Sequence, residues 1–460
     1  MSKQPSAAAR SFESGSVVSA VLRNILPAIL AMMMVLLYNL ADTFFVGQTH
    51  NDLMVAAVSL ATPVFLVFMS VGTLFGMGGT SVISRALGEK NLAYARRVCA
   101  FCLWSCVFVG AALSVLLWVF MDPLLTAMGA SAGTFGYTRT YLNIVALCGV
   151  FSLIANCFSN IIRAEGHSAI AMSGLLVGNL VSVILDPLLI LTADMGVAGA
   201  AWATVIGNLV AALIYLFYYF SGRSALSISL KEFSLKDKIP SRVVAIGFPA
   251  SLGNLLMSVS QMVTNRMLAN YGDLAVAAYG VAAKILMIVT LVGIGIGQGI
   301  QPLLGYCYGA KNHKRFSAAL KTALFCGVVF CGVVIVLCEV YVRPLVTLFL
   351  SDPQALDYGI RFSRIMMTTG WLFGVYYVLM NALQALGQAL PALAVSLCRQ
   401  GVVYLPAVFL LGALIGMDGL VWAQPCADVI SLLLAAVLLV RSLKKADWTV
   451  PSSSAETQPA

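Results

Sequence analysis

Eighteen acidic residues occur in this chain of 460. Three of them, Asp42, Asp186 and Asp428, stand well inside long apolar runs. If those runs lie in a bilayer, each carboxylate costs at least about 2.5–3.5 kcal/mol by insertion scales, and such a group is read first as functional. Tyr38 precedes Asp42 by one helical turn, and Ser182 and Asn179 precede Asp186 by one and two turns. Thr204 lies about one and a half turns into the next run from the loop that holds Asp194, which brings it to a depth similar to that of the two acids. Two carboxylates with hydroxyl and amide neighbours suit a cation in either of two ways. Their oxygens can replace the hydration shell of Na⁺. Alternatively, two close carboxylates cannot easily both stay ionised, and the pair holds H⁺. In either case loading the site removes net charge and can switch a bistable helix. Pro27, which removes one internal hydrogen bond, is the expected bend in the first run.

Other chemistries lack their parts. His50, His167 and His313 all fall in expected loops. Cys99, Cys102 and Cys106 share helical spacing, but their apolar flanks and the absence of a nearby histidine read as packing of small buried hydrophobes. Neither a zinc site nor a catalytic triad can be assembled, so no enzyme and no cofactor is expected. The glycines at Gly76-Met77-Gly78-Gly79 and Gly293–Gly299 follow no strand and precede no Lys-Ser/Thr. They read as points of close helix approach rather than a phosphate loop.

The elements that hold the acids are transmembrane helices. Hydrophobic residues make up 60% of the chain and charged ones 10%, against about 25% charged in soluble domains. Mean hydropathy is +0.95. In lipid every backbone polar group must be paired internally, and apolar runs of about 20 residues match a spanning helix rather than a barrel strand. Twelve spans are expected, at 17–45, 54–78, 98–120, 138–160, 169–192, 197–220, 243–268, 275–300, 318–340, 360–384, 391–413 and 418–440. Twenty of the 27 Lys and Arg residues, Arg85, Arg163, Arg242 and Lys311 among them, are assigned to tails and loops on one side. Four (Arg139, Arg343, Arg361, Arg364) are assigned to the other side. That asymmetry places both termini in the cytoplasm. The net charge of +9 is then a topology signal; no soluble basic and aromatic stretch suggests nucleic acid.

The chain repeats itself at an offset near 221. Asp52-Leu53-Met54-Val55-Ala56-Ala57 aligns with Asp273-Leu274-Ala275-Val276-Ala277-Ala278. Gly88-Glu89-Lys90-Asn91 aligns with Gly309-Ala310-Lys311-Asn312, and Ala164-Glu165-Gly166 with Ala385-Leu386-Gly387. Each half has an even number of spans, so the repeats are parallel and leave a central cleft between two six-helix bundles. The expected organisation is a disordered tail at 1–16, a first lobe at 17–220, a linker at 221–242, a second lobe at 243–440 and a tail at 441–460. Polar candidates for the cleft are Asn156, Ser159, Gln261, Asn265, Tyr141, Tyr376 and Asp428. Lys284 and Arg399 stand inside spans and are expected to pack, to snorkel to lipid head groups, or to meet each other or Asp428.

Several stretches resemble motifs of the multidrug and toxic compound extrusion (MATE) family. They are Tyr38-Asn39-Leu40-Ala41-Asp42-Thr43-Phe44-Phe45-Val46-Gly47, Gly78-Gly79-Thr80-Ser81, Arg85-Ala86-Leu87-Gly88, Arg163-Ala164-Glu165-Gly166 and Leu185-Asp186-Pro187. The resemblance covers residues 17–440 and is greatest to the MepA-like group. It implies a bacterial inner-membrane antiporter, sufficient as a monomer, that exports amphipathic and often cationic compounds in exchange for H⁺ or Na⁺ without ATP. It carries the coupling-ion role onto Tyr38, Asp42, Asp186 and Thr204. One position departs: Ser182 stands where members commonly have Asn. The NorM-like branch has acids on its seventh and tenth helices; the corresponding spans here carry none. The alternative from the broader superfamily is a flippase for lipid-linked precursors, which would bring more basic residues into the cleft than Arg266, Lys284 and Arg399.

Overall fold

The computed structural model describes residues 12–13, 15–49, 51–350, 352–446 and 448. Most of both expected tails, and His50, lie outside this set. Among the described residues, twelve helices are long and apolar enough to cross a membrane. They are α1 (Val17–Gly47), α2 (Leu53–Gly88), α3 (Leu92–Val119), α4 (Ala132–Ala164), α5 (Ser168–Thr192), α6 (Val197–Phe220), α7 (Ile239–Tyr271), α8 (Asp273–Gly309), α9 (His313–Val340), α10 (Pro353–Ala385), α11 (Ala389–Ile415) and α12 (Met417–Lys445). The protein is an all-α polytopic membrane protein of two parallel six-helix repeats around a central cleft. Several helices outrun their apolar stretches. Hydropathy marks the part in lipid, whereas capping ends the helix. Thus α12 continues to Lys445, and the second tail starts beyond the expected 441.

The repeat extends to the turns. Lys90 and Lys311 both take left-handed backbone, at φ 59° and 56°. The next residue of each, Asn91 and Asn312, accepts the backbone N–H of Tyr94 or Arg315 at 3.1 and 3.0 Å and starts α3 or α9. Two short helices, Met121–Ala127 and Val342–Thr347, also sit at the repeat offset, in stretches expected to be loops.

One large hydrophobic core forms in each half, with a smaller cluster around Val281, Ile285 and Val342 in the second, and the halves exchange helix ends between the large cores. Ala20, Val21 and Ile25 of α1 are buried in the second half's core. Ile239, Val243 and Ile246 of α7 are buried in the first half's. The exchange requires close backbone approach. A side chain on Gly78 would collide with the carbonyl of Val243, and one on Gly247 with that of Leu74. On the other flank, a Cβ at Gly295 or Gly299 would lie 2.8 Å from the Cα of Ile29 or Ile25. Polar contacts join the same region. Ser81 Oγ donates to Gln384 O at 2.5 Å, and Gln301 Nε2 reaches Met77 O and Gln384 Oε1 at 3.4 Å. All of these contacts fall toward the ends of the helices on the side of the chain termini. The halves are therefore sealed together on that side.

The connection between the halves is docked against the first of them. Glu165 accepts from Ser224 Oγ, Ala225 N and Leu226 N at 2.7, 3.0 and 3.3 Å. Arg96 Nε donates to Ala225 O at 2.8 Å, and Phe233 stacks on Phe101.

Arg163 corrects the loop assignment. It is in the last turn of α4, 1% exposed. Its Nη1 donates to Asn160 Oδ1 at 3.1 Å and across to Gln298 Oε1 of α8 at 3.0 Å.

Candidate functional site

α1, α4, α5 and α6 bring together Tyr38, Asp42, Tyr141, Asp186 and Thr204. The Tyr38 hydroxyl and Thr204 Oγ1 are 2.6 Å apart. The Asp42 carboxylate is near enough for its charge to act on Asp186, and both acids act on Tyr38 and Tyr141. Asp186 is 0% exposed. Neither of its oxygens, nor Asp42 Oδ1, has a hydrogen-bond partner among the described residues. Buried polar atoms are almost always paired, so such atoms in one place point to a ligand of opposite charge.

Local sequence explains how Asp186 is presented. Pro187 has no N–H, so the carbonyl one turn back loses its donor. The helix relaxes into a wider π turn over Leu188–Thr192, a feature that often accompanies functional sites.

The remaining expected site residues divide. Ser182 Oγ donates to Ala203 O at 3.1 Å and to Gly178 O at 3.3 Å. Its hydroxyl thus ties α5 to α6. Asn179 Nδ2 is buried without a partner, two turns inward. Pro27 lies within α1, which continues through it.

The cleft candidates do not converge on one place. Tyr141 belongs to the carboxylate cluster. On α4, Asn156 Oδ1 is 3.4 Å from Thr73 Oγ1, and Ser159 Oγ donates to Asn156 O at 2.8 Å. On α7, Gln261 is exposed and Asn265 Oδ1 is buried without a partner. Tyr376 and Asp428 are buried in the second half, at 6% and 3% exposure. There Arg399 Nε donates to Asp428 Oδ1 at 2.7 Å. Gln424 Nε2 and Thr369 Oγ1 add bonds to the same carboxylate at 2.8 and 3.3 Å. The guanidinium lies 4.5, 4.9 and 5.6 Å from the ring centres of Tyr376, Phe373 and Tyr377. Asp428 is therefore neutralised from within. Lys284 is exposed, 5.3 Å from the Phe349 ring centre.

Sequence reasoning missed the Arg163–Gln298 bridge and the aromatic enclosure of Arg399. The one available signal for the second was an arginine and an acid in adjacent apolar runs. The described residues contain no group of three or more His, Cys, Asp or Glu that could hold a metal ion.

Two parallel six-helix repeats, sealed at one end, with unpaired carboxylates deep in one of them, define a membrane transport protein. The MatE family model matches residues 27–188 and again residues 249–410, once per half. Multidrug export protein MepA of Staphylococcus haemolyticus (strain JCSC1435) is 31% identical over 433 residues, covering 94% of this chain and 95% of that protein. The protein of the same name from Staphylococcus aureus (strain MRSA252) is 30% identical over 437 residues, with the same coverage. A structure described as the outward-facing conformation of a multidrug resistance MATE family transporter of the MOP superfamily superposes with TM-score 0.90. It is 22% identical and covers 96% of this chain and 100% of its own. A MATE crystal structure in complex with MaL6 gives 0.89 at 23% identity, over 95% and 100% of the two chains. The chain belongs to the MATE family.

Proposed function

We propose that the protein is a secondary-active multidrug efflux antiporter. It exports amphipathic, often cationic compounds and takes up H⁺ or Na⁺ in exchange. The observation that carries this reading is the pair Asp42, half-buried, and Asp186, buried, in one half: both Asp186 oxygens and Asp42 Oδ1 have no hydrogen-bond partner among the described residues. A cation fits such a pair, and a polytopic protein with no enzymatic constellation uses one for coupling. Loading cancels the buried charge and alters the balance of forces on α1, where Pro27 already removes one hydrogen bond. The curated relatives bear the name multidrug export protein, which supports the cargo class.

The two halves act as lobes, residues 17–220 and 243–440, joined by the linker 221–242. They rock so that the cleft opens to alternate sides. The bias of Lys and Arg supports termini in the cytoplasm of a bacterial inner-membrane protein. On that reading the seal at the termini side makes this the outward-open state. One copy suffices, because the cation site lies within one chain.

The test is efflux of a fluorescent cationic dye from proteoliposomes under imposed H⁺ or Na⁺ gradients, for wild type and Asp42→Asn. Gradient-driven efflux in wild type and its loss in the variant support the reading, and the effective gradient names the ion. Wild-type protein that moves no dye under either gradient overturns the multidrug assignment. A variant that couples normally overturns the site.

A further inference from the structure

At the termini-side end of the seal a cavity of about 600 Å³ lies between the halves. Arg85 and Glu89 line it from the end of α2, Arg242 from the start of α7, Tyr308 and Lys311 from the end of α8, and Gly387 from the turn after α10. Three cations thus face one carboxylate where the halves meet. They are crowded: the charges of Arg242 and Glu89 both act on Arg85. The Arg85 guanidinium is pressed against Gly387, where any side chain would strike it. Its Nε is committed to Ser81 O at 3.1 Å. Among the described residues Arg242 donates to a neutral partner beyond the cavity, the Tyr94 hydroxyl, at 3.3 Å. Like charges gathered across a closing interface push it apart. An anion with several oxygens, seated between them, reverses the sign of that force. Guanidinium groups match the planar, bidentate presentation of phosphate oxygens, and lysine adds a point charge.

The walls choose among phosphate compounds. Ala245, Ile246 and Ala389 line the same cavity. On the outer face of α7 beside it, Val244 and Phe248 are 38% and 44% exposed. A polar head in the cavity would therefore continue into an apolar track suited to acyl chain. We propose that the cavity binds the phosphate head group of an anionic lipid from the termini-side leaflet, and that the bound head group staples the two halves in the sealed state. Basic pockets between transmembrane helices are a recurrent form of lipid recognition. The stapling role rests on the rocking of the halves proposed above. The binding does not, and it is tested without any drug or gradient.

The experiment is thermal unfolding of the purified full chain in detergent, followed with a thiol-reactive dye, since nine of the eleven cysteines are buried. Dioctanoyl phosphatidic acid, dioctanoyl phosphatidylcholine and inorganic phosphate are titrated at constant ionic strength. The proteins are wild type, Arg242→Gln/Lys311→Gln, the charge-conserving Arg242→Lys/Lys311→Arg, and Lys314→Gln/Lys321→Gln, which removes charge from α9 outside the cavity. The expected result is stabilisation of wild type by phosphatidic acid and not by phosphatidylcholine. The apparent affinity falls at least about tenfold in the first double variant, because two charge-assisted contacts are lost. It survives in the other two. Native mass spectrometry of wild type, counting one retained phosphatidic acid, reads the same site if the variant folds poorly. An equal shift in all four proteins, or none in wild type, overturns the proposal. Equal stabilisation by inorganic phosphate at the same concentration overturns the lipid and reassigns the cavity to soluble phosphate.

Discussion

Removing one partner of the Arg399–Asp428 pair will destabilise the protein more than removing both. Arg399 and Asp428 side chains are only 7% and 3% exposed, so neither charge can recover water when the other is lost. Breaking a buried pair by deleting one member typically costs about 3–5 kcal/mol, whereas replacing both by well-packed apolar groups is often neutral. The surroundings place both single changes near the lower bound. In Arg399→Met, Asp428 keeps Gln424 and Thr369 as donors. In Asp428→Leu, the guanidinium keeps three aromatic rings and the Tyr377 hydroxyl at 3.3 Å. Each single variant should lose about 3 kcal/mol. The double variant should lose under about 2 kcal/mol, because methionine sulfur packs well against aromatic rings. The coupling energy is then at least about 4 kcal/mol, above the usual range for contacting residues because two uncompensated charges are avoided. Equilibrium unfolding in mixed micelles, monitored by tryptophan fluorescence, measures all three. Single losses below about 1 kcal/mol, or a double loss equal to the sum of the singles, would falsify the claim that this half is neutralised by its own ion pair.

Asp42→Asn and Asp186→Asn should reduce dye efflux from proteoliposomes to the level seen without a gradient, while resistance to thermal unfolding stays equal or rises, since each change removes a carboxylate with at least one buried oxygen unpaired among the described residues. Gly247→Leu should cost about 1–3 kcal/mol and wedge the seal, because its side chain meets the immovable Leu74 carbonyl; labelling of Ser81→Cys by a thiol reagent applied from the termini side should rise. Burial pushes the Glu165 carboxyl up to about 7, against the hydrogen bonds from Ser224, Ala225 and Leu226 that lower it. The folded state therefore holds a proton that the unfolded chain releases near 4.5. Glu165 contributes stability that is complete below the unfolded value and lost as pH rises through about 7. The unfolding temperature of wild type minus that of Glu165→Gln should accordingly fall between pH 5 and 8, and a flat difference would show that this carboxyl does not titrate there.

Composition and periodicity made the helices legible because lipid imposes a single solution on an apolar chain. The repeat was legible for a different reason. Turns such as Lys90-Asn91 and Lys311-Asn312 require particular residues for backbone reasons, and these recur at the same offset. Asp42, Asp186 and Thr204 stood out because each is polar at a matching depth, and depth can be counted along a helix. Tertiary pairings could not be counted in that way. Ser182 has the depth of a site residue, yet its hydroxyl donates to Ala203 O. Arg163 has the sequence position of a loop cation, yet α4 runs past it and turns it toward Gln298. Asp428 resembles Asp42 in sequence as a lone acid in an apolar span. Contact with Arg399, 29 residues away in the chain, is one of several outcomes expected for that acid; packing selects it and thereby separates an internally paired carboxylate from an unpaired one.

That separation bears on how a symmetric backbone yields a directional device. If both halves carried unpaired carboxylates, either could load a cation and either could switch. The halves share turns, caps and short outer helices, so the backbone itself does not choose between them. The charges do. In the first half both Asp186 oxygens and Asp42 Oδ1 have no partner among the described residues. In the second, a guanidinium held among three rings occupies the place of a cation permanently. An arginine does not dissociate with the gradient, because it stays charged throughout the accessible pH range. On the mechanism proposed above, the cation-binding change of charge is confined to the first half, and the exchanged ends of α1 and α7 would carry that change to the seal.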